Sequence, residues 1–169
     1  TELFFGVGFL DWTPMPVGGR LEELSWLQFK YLEALGNMAL IGGWLGREAD
    51  AKRYRRQVEM LTPVLLDKFW RADRGFVHTL NLADRRWQTL SQGPRGHYER
   101  TYRDGMQFGE SGPSRHSLAL AAWAGLCELP GRQDTIMSVL NDTELQPVIT
   151  AYFAYYEQMA RALCGDRPG

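Results

Sequence analysis

Apolar residues recur at steps of three and four in two consecutive stretches, and a glycine-rich joint separates them. This pattern constrains the fold more than any other feature of the chain. Between Leu21 and Leu45 the apolar positions are Leu24, Leu27, Tyr31, Leu35, Met38 and Ile41, which place one stripe on one face of a helix. After Gly42, Gly43 and Gly46 the same spacing resumes at Ala51, Tyr54, Val58, Leu61, Leu65 and Phe69. A joint of roughly two to five residues leaves two such helices no packing but antiparallel, as an αα-hairpin. Pro63 falls inside the second stretch, where it removes a backbone donor and crowds the preceding turn, so a kink or a restart is expected near Thr62.

Beyond Trp70 the period changes. Asp73, Arg74 and Gly75 read as a turn, and the segments GFVHTL and RRWQTL carry the β-branched and aromatic residues of a small hairpin formed between them. The stretch Gly93–Gly112 has five glycines, many charges and no period, which predicts a long ordered loop. A third helix is expected from about Ser114 to Cys127, with Ser114 capping its first turn. Ala119, Ala121, Ala122, Ala124 and Gly125 make it thin enough for neighbours to approach closely. A shorter helix follows from about Asp134 to Leu140, and a last one from about Val148 to Leu163, with Tyr152, Tyr156, Met159 and Leu163 on one face. Together these predict an all-α single domain over residues 1–169, built from antiparallel helical hairpins with a small β-hairpin and a long loop. No exact internal repeat is present, although paired helices alone also suit a solenoid.

Composition excludes several functions. With 169 residues, 44% of them hydrophobic, the chain can bury one core. A net charge of −1 and a pI near 6.3 supply no concentrated basic surface for nucleic acid or anionic membrane. The apolar runs are too short and interrupted to span a bilayer. Cys127 and Cys164 have neither CxxC nor zinc-site spacing and read as small apolar fillers, so no metal or cofactor is expected. HExxH, Walker and GxGxxG patterns are absent, and Pro113 occupies the second glycine of what would otherwise be a nucleophile elbow at Gly109-Glu110-Ser111.

The remaining candidates are polar and aromatic residues at helix ends and loops. Asp11 and Trp12 pair an indole, which offers an apolar face to the C–H side of a pyranose, with a carboxylate that accepts hydroxyl hydrogen bonds. The alternative is that Trp12 plugs the end of the helical assembly and Asp11 caps a turn. His116, in the first turn of the third helix, is either a ligand contact or a structural histidine. Glu99, Asp104, Glu110 and Glu157 are the carboxylates in comparable places. An inverting glycosidase needs two such groups roughly 6.5 to 9.5 Å apart with a water between them.

Four colinear segments carry a family resemblance. GFLDWTP resembles the F-x-D-W-x-P segment of bacterial α-L-rhamnosidase six-hairpin domains. LSWLQFKYLEALGNMALIGG with ADAKRYRRQVEMLTPVLLDKFWRADRGFV is similar to that family's helical hairpin with its Phe-Trp and acidic-glycine turn. SRHSLALAAWAGL is similar to its S-Q-H-A-N-A-L-A segment, and LQPVITAYFAYYEQMAR to its T-P-Y-F-x-F-Y-x-x-E-A-L helix. The resemblance implies a partial (α/α)6 toroid and a carbohydrate substrate. It puts Asp11 and Trp12 on the pocket-lining D-W, His116 on the histidine, and Tyr152 with Phe153 on the aromatic pair. Arg115 replaces the usual glutamine, Ala151 a proline and Met159 a frequent glutamate.

In that family the general acid comes from an R-D-E-R-like motif and the base from a W-E-R-W-like segment, and this sequence contains neither. The expectation is therefore the middle of a barrel whose remainder comes from flanking sequence, with no catalytic residue assigned within this chain. The whole enzyme would hydrolyse a terminal α-L-rhamnosyl or related bond with inversion. A non-catalytic helical-hairpin scaffold and another six-hairpin carbohydrate-active enzyme are the alternatives.

Overall fold

The computed structural model describes residues 16–17, 22–81, 87–92, 98–103, 112–145 and 147–165. The chain is mostly helical, with five α-helices and three small antiparallel sheets among the described residues. Helix α1 (Ser25–Trp44) and helix α2 (Glu48–Phe69) are joined by three residues, Leu45, Gly46 and Arg47, and pack on one another as the expected hairpin. The turn closes through hydrogen bonds from Leu45 N to Ile41 O (3.0 Å) and from Arg47 N to Gly42 O (2.8 Å). Gly46 takes the left-handed backbone (φ 68°) that a glycine adopts without a Cβ penalty.

Helix α2 buries Ala51, Leu61, Leu65 and Phe69, as the spacing predicted. It does not restart at Pro63: the helix runs unbroken from Glu48 to Phe69. Pro63 is exposed, so water reaches the backbone its ring leaves unpaired, and Thr62 Oγ1 donates to Val58 O at 2.9 Å. Helix α1 departs from expectation by about one residue of rotation. Its buried face is Ser25, Trp26, Gln28, Phe29, Leu32, Leu35, Ala39 and Gly42, whereas Met38 and Ile41 are exposed. The cause is local: a Cβ on Gly42 would lie 3.1 Å from Ala51 N, so the glycine face is where α2 approaches.

The strands are β1 (Pro16–Val17), β2 (Glu22–Leu24), β3 (Trp70–Arg71), β4 (Gly75–Phe76), β5 (Thr79–Asn81), β6 (Trp87–Gln92) and β7 (Tyr98–Arg103). The expected pairing of GFVHTL with RRWQTL does not form. Instead β3 turns through Ala72, Asp73 and Arg74 to pair with β4, β5 pairs with β2, and β6 lies between β1 and β7. The predicted long loop thus contains a six-residue strand, β7, which pairs antiparallel with β6 from Trp87↔Arg103 to Gln92↔Tyr98. Gly75 has φ 75°, and a Cβ there would meet Leu118 Cδ2 at 2.9 Å, so the turn lies tightly on the next helix.

Helix α3 (Arg115–Trp123) is shorter than expected, with Ala124 as its C-cap; Gly125 (φ 81°) then admits a separate 3₁₀ turn, Leu126–Glu128. Helices α4 (Gln133–Leu140) and α5 (Ala151–Leu163) follow. Ala119, Ala121 and Ala122 are buried, and α3 packs on both α1 and α5. In α5 the buried residues are Phe153, Glu157 and Ala160, while Tyr152 and Leu163 face solvent. The core centres on Phe29, whose ring meets Phe69 at 6.0 Å and Phe76 at 5.0 Å between centroids, both edge-on. Each fully buried phenylalanine of this kind contributes about 2 to 3 kcal/mol of burial. Cys127 and Cys164 are free and buried in the core, and Cys127 Sγ donates to Ala122 O at 3.6 Å, in keeping with their reading as core fillers.

Candidate functional site

Ser114 organises the start of α3. Its Oγ accepts from Ser117 N (3.0 Å) while Ser117 Oγ accepts from Ser114 N (3.1 Å), a reciprocal box that satisfies two amides of the first turn. The same Ser114 Oγ lies 2.7 Å from Nδ1 of His78. The backbone of His78 is held on both sides: its N donates to Gly112 O (3.0 Å), and its O accepts from Ser25 N (3.0 Å) and Ser25 Oγ (2.8 Å). One histidine therefore ties the first turns of α1 and α3 together. Burial, then the charge of His116, push its pKa down to about 3, so its imidazole is neutral at physiological pH.

His116 lies in the first turn of α3 and is 1% exposed. Its ring stacks on Phe153 of α5 at 4.1 Å between centroids, with the planes tilted by 41°. It is a packed member of the α3–α5 interface. Tyr152, the neighbour of Phe153, is 65% exposed. Its ring lies 6.5 Å from that of Phe153 and 5.5 Å from that of Tyr156, edge-on in both cases, and its hydroxyl is 3.5 Å from the Tyr156 hydroxyl. Of the four residues expected in a sugar site, His116 and Tyr152 thus meet through Phe153. Asp11 and Trp12 lie outside the described residues.

Glu157, named above among the carboxylates, is locked into an ion network. Its Oε1 accepts from Arg115 Nη1 (2.8 Å), Arg161 Nη2 (2.9 Å) and Arg161 Nε (3.2 Å). Both arginines also donate to Leu140 O, and Arg115 Nη2 to Asp142 O (2.9 Å), so the C-terminal end of α4 is clamped against α3 and α5. A carboxylate shared by two guanidinium groups makes charge-assisted hydrogen bonds that tie α3 to α5. Arg115, the departure from the resembled glutamine, is what makes this clamp. Asp104 and Glu110 lie outside the described residues, and Glu99 is placed only by its strand pairing with Ser91.

A second polar and aromatic cluster went unmarked in the sequence. Trp123, two turns along α3 from His116, donates its indole N–H to Glu33 Oε1 of α1 at 2.5 Å. Glu33 Oε2 accepts from Lys30, and the Lys30 ammonium sits over the Tyr156 ring, 5.3 Å from its centroid. Tyr156 is the hub, with Phe153, Trp123 and Tyr155 at 5.4, 5.5 and 5.6 Å. Its hydroxyl pKa is pushed up to about 12, first by the hydrogen bond with Tyr152 and then by burial. The available signals were Lys30 and Glu33 at i,i+3 on one helix and Trp123 at i+7 from His116; neither identifies a partner across the fold.

Among the described residues no group of three or more His, Cys, Asp or Glu is placed to hold a metal ion, and no helix is long and apolar enough to cross a membrane. Compared with protein-family models and with curated proteins, the chain matches none.

Proposed function

We propose that this chain is part of a glycoside hydrolase catalytic domain of the (α/α)6 kind, acting by inversion on terminal α-L-rhamnosyl or related glycosidic bonds. One observation carries the reading. The two segments resembling the rhamnosidase histidine and aromatic-pair motifs, separated in sequence by α4, pack as α3 against α5, with His116 on Phe153 and Tyr152 presented to solvent. The α1–α2 hairpin is the repeating unit such a toroid requires.

In this reading the chain's own residues bind and orient the sugar. Tyr152 offers a ring to the apolar face of the pyranose, and Asp11 and Trp12 supply a carboxylate acceptor and a second ring. His116 acts by seating Phe153, which sets the position of Tyr152. The acid that protonates the leaving oxygen and the base that activates water for attack at C1 are assigned by the resemblance to motifs this sequence does not contain.

Calorimetric titration with L-rhamnose, D-glucose and D-galactose tests the proposal. L-rhamnose is expected to bind at least about tenfold more tightly than the others, a difference of about 1.4 kcal/mol, and Tyr152→Ala to remove most of that preference. Equal affinities for the three sugars, or no binding of L-rhamnose, would overturn it.

A further inference from the structure

Around Tyr156 the rings of Trp123 and Tyr155 form an open corner: their planes meet at 60° with centroids 5.9 Å apart, and each stands steeply against Tyr156, at 73° and 76°. Tyr155 is 56% exposed and Trp123 half-buried, so the corner opens to solvent. Lys30 and Glu33 flank it. The pair is internally neutral, yet the ammonium has donors left over and the carboxylate oxygens retain acceptor capacity.

These features select a chemical class. A quaternary or primary ammonium ligand would seek the Tyr156 face, but Lys30 already occupies it, and its charge opposes a second cation. An anionic ligand would meet Glu33, and a purely apolar one would leave the Lys30 and Glu33 groups unpaired. A neutral polyhydroxylated ligand suits all of them, with its C–H faces against the inclined rings and its hydroxyls on the ammonium and carboxylate. The corner is also continuous with Tyr152: two ring contacts of 5.5 Å, Tyr152 to Tyr156 and Tyr156 to Trp123, span the scale of a disaccharide.

We propose that the Trp123–Tyr155 corner, with Lys30 and Glu33 beside it, binds the neutral sugar unit to which the terminal rhamnosyl group is attached, an inference that rests on the rhamnosyl reading above. The test compares L-rhamnose with an α-L-rhamnosyl-D-glucose disaccharide by calorimetry on the full chain. The disaccharide is expected to bind about tenfold more tightly than L-rhamnose, and Tyr155→Ala, an exposed change that spares the core, to abolish that gain while leaving L-rhamnose affinity unaltered. Lys30→Met is expected to act in the same direction, and unchanged thermal unfolding of both variants confirms that they fold.

The outcomes separate the two claims. If L-rhamnose binds through Tyr152 but the disaccharide is no tighter, or its affinity ignores Tyr155, the corner proposal fails and the terminal-sugar reading stands. If the disaccharide binds in a Tyr155-dependent manner while L-rhamnose binds nowhere, the corner is a sugar site and the terminal-sugar reading fails. Binding of neither sugar, or tight binding of tetramethylammonium at Tyr155, overturns the corner proposal.

Discussion

Lowering the pH from about 7 to about 5 should destabilise this protein through one residue, His78. In the folded chain its pKa is pushed down to about 3 by burial and by His116, whereas in the unfolded chain it returns to about 6.5. Between those values the unfolded state holds a proton that the folded state excludes, so stability is complete above about pH 6.5 and falls as the pH drops toward 3. At pH 5 the loss is about 2 kcal/mol, a figure fixed by the unfolded value alone so long as the folded value stays well below 5. The slope approaches that of one proton, about 1.4 kcal/mol per pH unit. Urea denaturation at a series of pH values measures it, with His78→Asn as the control because an amide can keep the Ser114 hydrogen bond without titrating. The wild type should lose about 2 kcal/mol more than the variant over this interval. Equal losses in the two proteins would refute the reasoning, since His116 and every carboxylate are common to both.

Three further changes test the packing. Arg115→Met removes one of the two cations on buried Glu157 and should cost about 3 kcal/mol in urea denaturation, while Arg115→Met with Glu157→Leu together should cost less than the single change. Gly42→Val should destabilise by about 1 to 3 kcal/mol because its side chain meets Ala51 backbone, whereas Gly43→Ala, with open space around it, should raise the melting temperature slightly. Ser114→Ala should cost about 1 to 2 kcal/mol by thermal unfolding, losing both the α3 cap and the partner of His78.

The helices, the Ser114 cap and the α1–α2 hairpin were legible because period, Ser114 and the Gly42–Gly46 joint are local signals. The faces of α1 and α5 were not. Apolar residues surround α1 on nearly all sides, so several stripes fit the sequence, and the choice falls to Gly42, whose missing side chain lets α2 close on that face. On α5 the choice falls to Phe153, which docks on His116 rather than following Tyr152 inward. Buried Ser25, Gln28 and His78 leave no trace in a hydrophobic pattern, since what makes them tolerable inside is a partner distant in sequence, as Ser25 and His78 show. Strand β7 was not legible because YERTYR places charged residues on both faces and stands in glycine-rich, charged surroundings, so no period-two apolar pattern marks it.

For the candidate site, the His116 and Tyr152 segments were picked out before their contact was known, and they converge through Phe153. The Trp123–Glu33 bond was not readable, because α1 and α3 are ninety positions apart there and only the fold brings them together.

Transferred nuclear Overhauser spectroscopy of L-rhamnose with this chain tests most directly whether the α3–α5 junction and the Asp11-Trp12 segment serve one sugar site. Cross-peaks from the sugar's methyl and ring protons to the Tyr152 ring and a tryptophan indole, lost in Tyr152→Ala and Trp12→Ala respectively, are the predicted result. Cross-peaks that persist in both variants, or none at saturating sugar, would contradict it.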